Sequence, residues 1–197
     1  MPALITRVKN IIMHPDNEWV SIERERNSVG RMLFAYLGPL MLIGPVASAC
    51  GMLLRGGGGP ADRAAGFQLA AQSILAGVVA SLLGVLITAC VIYLMTPVYR
   101  VPRNFRSAFR LVVYAGTPLW IAGIVFIAPL DEVPALIVVL LVALMHTLYV
   151  FYLGLHRVVK VPLQEAAECA AIVALASLLL TTVVGYAGGS VGLFPQK

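Results

Sequence analysis

His146, Tyr149, Tyr152 and His156 fall on one face of a single apolar run when read at helical spacing. Cysteines and tyrosines aside, His146 is the only ionisable side chain well inside such a run. A charge at the centre of a bilayer costs about 2.5–3.5 kcal/mol, so ionisable residues there are functional candidates by default. The sharp reading makes His146 and Tyr149 intramembrane polar candidates lining a cavity or a proton path. The plainer reading is a neutral histidine bonded to a neighbouring helix, with tyrosines packing toward the interface. No acid lies deep enough to complete a proton relay. HExxH and Cys/His pairings with ligand spacing are absent from the sequence. Cys50, Cys90 and Cys169 make no CxxC and read as small buried hydrophobes. The glycines at 56–59 before Pro60 lack the Gly-Lys-Ser/Thr ending of a phosphate loop and read as a flexible linker. No catalytic residue, metal or cofactor is expected, and the chain does not read as an enzyme.

Backbone motifs are more informative than side-chain chemistry. Tyr36-Leu37-Gly38-Pro39 opens one apolar run and Tyr114-Ala115-Gly116-Thr117-Pro118 opens another. Each puts a proline, which lacks an N–H donor, in the early turns of a membrane-length helix. A kink or local unwinding is expected at each. The plain purpose is packing. The functional one is a cleft where freed carbonyls meet a partner or a headgroup, with Gly38, Pro39, Tyr114 and Pro118 as its candidate residues. Arg100, Arg103, Arg106 and Arg110 lie at the same level and would edge it with cations.

The elements that carry these motifs follow from composition. Of 197 residues 60% are hydrophobic and 12% charged, against roughly 25% charged in a soluble domain. Apolar runs long enough to span occur at about 32–54, 67–95, 111–130, 133–155 and 169–186. The reading is an all-α membrane bundle of five transmembrane helices. Ser73, Gly77, Ser81 and Gly84 recur at three- and four-residue spacing in the second span, which favours close helix contact. Asp131-Glu132 reads as a very tight turn, and a Gly-rich tail ends the chain. Glu165 and Glu168 suit the dipole at the start of the fifth span; the alternative is a contact from Glu168 to the arginine connector.

Residues 1–31 form an N-terminal segment ahead of a five-span domain at 32–197. Leu4, Val8 and Ile12 recur every fourth residue, which predicts an interfacial amphipathic helix with Arg7 and Lys9 off the stripe. His14-Pro15-Asp16-Asn17 breaks it and starts another. On that second helix Trp19 and Ile22 are expected to dip into the headgroup layer, with Glu18, Glu23, Arg24, Glu25 and Arg26 wet. Nothing here is a signal peptide, because no apolar segment follows the first basic residues. Eleven of the 14 Lys and Arg fall on the side of the N-terminus. The positive-inside rule therefore predicts a cytoplasmic N-terminus, an outside C-terminus and an odd number of spans. The net charge of +5 belongs to short connectors beside apolar runs, which points to lipid headgroups and not to nucleic acid.

His14-Pro15-Asp16-Asn17-Glu18-Trp19, then Leu37-Gly38-Pro39-Leu40, then Tyr114 with Pro118, resemble the Yip family over about residues 5–190. The family comprises five-span proteins with a cytoplasmic N-terminus, named for interaction with Ypt/Rab GTPases. Eukaryotic members carry a first-span motif resembling Asp-Leu-Tyr-Gly-Pro and a third-span Gly-Tyr followed by proline. Gly38, Pro39, Tyr114 and Pro118 match, while Ala35 replaces the acid and Val113 the glycine. These departures, with the short N-terminal region, argue against Rab-type GTPase binding and for the bacterial branch of inner-membrane proteins. A Golgi or ER membrane is the alternative. The resemblance implies a non-enzymatic membrane protein that organises partners or lipids, in a trafficking-type role, with a homo-oligomer as one option. The rival is a small transporter or channel, suggested by the two broken helices and His146.

Overall fold

The computed structural model describes residues 3–25, 27–55, 60–128 and 133–190. The glycine linker, Arg26, the Asp131-Glu132 turn and the last seven residues of the tail lie outside the described residues. The described chain is helical throughout. Two short helices, α1 (Leu4–Met13) and α2 (Pro15–Arg24), precede five helices long and apolar enough to cross a membrane. These are α3 (Val29–Arg55), α4 (Arg63–Tyr99), α5 (Phe105–Ile127), α6 (Pro134–Val159) and α7 (Leu163–Tyr186).

Three helices start earlier than apolar composition suggests. Asn104 caps α5 by accepting from the Ser107 N–H at 3.2 Å, so its first turns include Arg106 and Arg110. Those turns are amphipathic: Ala108 and Phe109 are buried while Arg106 is exposed. Likewise α7 begins at Leu163, six residues before the expected start, through a polar first turn holding Glu165. The first span also begins earlier, where Ser28 accepts from the Arg31 N–H at 3.2 Å.

The connectors from α4 to α5 and from α6 to α7 repeat one device. Val98-Tyr99-Arg100-Val101-Pro102 and Val158-Val159-Lys160-Val161-Pro162 each turn on a cation in the left-handed region, φ 59° at Arg100 and 73° at Lys160. In each, the following valine N–H reaches back into the preceding turn: Val101 to the Thr96 carbonyl at 3.0 Å, Val161 to Leu155 at 3.2 Å. A cation at a helix C-terminus also complements the dipole there. Proline then ends the turn in both.

The third span is the hub. Half of its most apolar window is buried, against 17–28% in the other four. It packs on α3, α4 and α6. Gly77 on α4 faces Pro45 of α3 so closely that an added Cβ would lie 2.6 Å from the ring, and Gly84 faces Thr181 of α7. The small-residue spacing read from the sequence therefore marks two helix contacts, at two heights along α4.

The N-terminal helices do form, but Trp19 does not sit among headgroups. Trp19, Ile11 and Ile22 are buried in the same hydrophobic cluster as Tyr36, Leu111, Tyr114 and Leu155 of the spans. Glu18, expected to stay wet, is buried, and so is Arg7, which lies off the apolar stripe. A docking surface exists because the ends of α5 and α6 present apolar side chains toward α1 and α2. Protein then replaces the interface as the environment of the apolar face.

Candidate functional site

The two proline-bearing breaks meet. In α3 the segment Leu33–Leu37 is a π-helical turn, ending where Gly38-Pro39 interrupts the donor ladder. In α5 the helix breaks at Gly116 and resumes at Thr117–Ala122 with Pro118 in its first turn. The Tyr36 hydroxyl lies 2.8 Å from Thr117 Oγ1, and the Thr117 hydroxyl also reaches the Tyr114 carbonyl at 2.7 Å. Thr117 thus takes up part of the hydrogen bonding disturbed at the break. The rings of Tyr36 and Tyr114 lie 4.6 Å apart.

The junction is a packed seam and not an open cleft. Tyr36, Leu37, Tyr114, Thr117 and Pro118 are buried, whereas Gly38 is half-buried and Pro39 exposed. α1 and α2 lie against this seam. Trp19 stands edge-on to Tyr114, with ring centroids 6.5 Å apart, and its Nε1–H donates to the Val150 carbonyl of α6 at 3.0 Å. Arg7 sits 5.5 Å from the centre of the Tyr114 ring. Its guanidinium contacts Glu18 at 3.0 Å and also Glu25, and Asn10 donates to Glu18 at 2.9 Å. The Arg7–Glu18 contact is ionic without hydrogen-bond alignment. A buried guanidinium is tolerable here because two carboxylates and an aromatic face replace its water.

The four arginines of the second connector divide into two pairs. Arg106 donates to the Asn27 carbonyl at 3.1 Å, and Arg110 to the Ile22 carbonyl at 3.3 Å, so both hold the N-terminal segment. Arg100 and Arg103 are exposed, Arg103 lying 5.7 Å from the centre of the Tyr93 ring. Lys160 pairs with Glu23 and tethers α2 to the other basic connector. Glu168 is exposed, and the ion pairs among the described residues do not include it.

The polar stripe of α6 divides by exposure. Tyr149 is exposed, His146 is half-buried with its ring 6.1 Å from that of Tyr149, and His156 Nδ1 lies 3.1 Å from the Val161 carbonyl. The described residues hold no group of three His, Cys, Asp or Glu placed to bind a metal. Cys169 is buried, but Cys50 and Cys90 are exposed, contrary to the expectation for all three. An apolar thiol needs no protein cover where its surroundings are hydrocarbon.

Sequence reasoning missed Arg7, Glu18 and Thr117 as parts of this arrangement. The one legible trace was Trp19 beside two acids after a helix break, a pattern that also fits a surface helix.

No curated protein and no solved structure matches the chain. The model of the Yip1 domain matches residues 9–185, a stretch that takes in α2, all five spans and the seam between them. The chain is therefore a multi-pass integral membrane protein of the Yip1 family, which is generally non-enzymatic.

Proposed function

We propose that this protein organises lipids, and through them partners, at the membrane face bearing its N-terminal helices, without chemical catalysis. The observation that carries this reading is the division of labour among the connector arginines. Arg110 and the exposed Arg106 are engaged by backbone carbonyls of the N-terminal segment, while Arg100 and Arg103 stand exposed at the ends of spans. Cations at that level face the headgroup layer, where each contributes about 1 kcal/mol toward an anionic surface. Eleven of 14 basic residues lie on this side, which supports a cytoplasmic N-terminus, an outside C-terminus and a bacterial cytoplasmic membrane.

The test is thermal unfolding of purified protein in nanodiscs of phosphatidylcholine with or without phosphatidylglycerol. Anionic lipid should raise the melting temperature, and Arg100→Ala/Arg103→Ala should abolish most of that rise, as should high salt. An equal rise in the double variant overturns the assignment. Steady proton or solute flux in proteoliposomes would overturn it in favour of a transporter.

A further inference from the structure

The half of the bundle remote from α1 and α2 holds a cavity of about 820 Å³ between α3, α4, α5 and α6. We infer that it is a lipid site, filled by the hydrocarbon chains of one bilayer phospholipid from the leaflet on that side.

Its shape follows from its walls. Met41, Gly44 and Ser48 succeed one another along α3, Ser73, Gly77 and Ser81 along α4, and Ile137, Leu141 and Leu144 along α6. Each wall covers about two helical turns, so the space is a slot about 12 Å long, running with the helices. Hydrocarbon chains in a bilayer run the same way. α4 and α6 face each other across the slot with scarcely any direct packing, which leaves its mouth between them. Ile137, Leu141 and Leu144 are exposed at that mouth. The opening is thus lateral, into the layer the spans cross.

Its chemistry excludes water and polar solutes. No charged side chain is in the lining. The hydroxyls of Ser73 and Ser81 are turned back to their own helix, each 2.8 Å from a carbonyl, Ala70 and Gly77 respectively. A space so lined, with Ser48 as its further hydroxyl, offers water few polar partners. Hydrocarbon is the medium at hand.

A polar end completes the site. At the rim Arg55 donates to the Ala128 carbonyl at 2.9 Å, just past Phe126, which lines the slot. The exposed guanidinium sits where a phosphate would emerge if the chains lay inward. A second copy of the chain fits less well, because the slot is a recess within one bundle and its mouth is edged by separate helices. The inference is independent of Arg100 and Arg103 on the opposite face.

The experiment is native mass spectrometry of the full chain purified in mild detergent from its host membrane, with phospholipid as the probe. The unaltered protein should retain one phospholipid. Ser73→Phe and Leu141→Trp fill the slot from opposite walls, and each should lower retention by about tenfold or more, as denying even two methylenes of contact would do. Leu178→Trp on the exposed face of α7 should leave it unchanged, as should Arg100→Ala/Arg103→Ala. Melting temperatures near that of the parent establish that the filled variants are folded. Full retention in two folded filled variants overturns the site. So does a parent that retains no lipid or retains a polar solute, or a dimer that the filling substitutions dissolve.

Discussion

Arg7 is the charged residue around which the N-terminal pair closes. Its side chain is 1% exposed, and its partners Glu18 and Glu25 are 7% and 23% exposed. Burial of three charges is stable only while all are present. Arg7→Ala leaves two carboxylates facing each other beside an apolar wall. The substitution should cost about 3 kcal/mol, the lower end for a broken buried pair because Glu25 still reaches water. The measurement is the melting temperature in mild detergent, and Glu18→Gln/Glu25→Gln added to Arg7→Ala should recover part of the loss. An unchanged melting temperature for Arg7→Ala would show that the cluster contributes nothing. None of this was legible at the residue scale. Arg7 lies off the apolar stripe of α1, and a cation near a membrane reads as a headgroup contact unless its acidic partners are known to be within reach. The breaks at Gly38-Pro39 and Pro118 were legible, because a glycine or proline in a membrane helix announces a break whatever lies across from it.

Gly154 of α6 sets how closely three elements approach. A Cβ there would lie 2.4 Å from Leu111 of α5 and 2.6 Å from the Trp19 ring of α2. Both neighbours are fully buried and have little room to retreat. Gly154→Ala should therefore lift α2 from the seam at a cost of about 1–3 kcal/mol, typical of overpacking. In a Trp120→Phe background the emission of Trp19 should shift to the red. Gly185→Ala is the control, since nothing lies within 4 Å of the corresponding position. A blue-shifted, parent-like spectrum from Gly154→Ala would mean that the close approach is relieved without moving α2. The count and order of the elements were readable from runs of apolar residues, because lipid demands about 20 of them per span. Their starts were not. The first turns of α5 and α7 are polar on one side, and the carbonyls that Arg106 and Arg110 meet belong to an N-terminal segment distant in sequence.

At the scale of the whole molecule, α1 and α2 are part of the bundle and not a peptide floating on the membrane. Three contacts distant in sequence argue for this: Trp19 to the Val150 carbonyl, Arg110 to the Ile22 carbonyl, and Glu23 to Lys160. The last is exposed and contributes little stability by itself, which makes it the right place for a probe. Cysteines replacing Glu23 and Lys160, in a chain lacking Cys50, Cys90 and Cys169, should be joined by a short bifunctional thiol reagent in intact membranes. The joined form should run as a distinct, more compact band. Arg7→Ala and Gly154→Ala should both lower the yield of that band, since each loosens the same seam from a different side. An interfacial helix pair would give a different pattern. Its position along the membrane surface would be unconstrained, linking would be sparse, and neither substitution would change it. Failure to link in folded, inserted protein would return α1 and α2 to the membrane surface. Tyr114 and Leu111 would then lose the cover that now makes the break in α5 a buried seam.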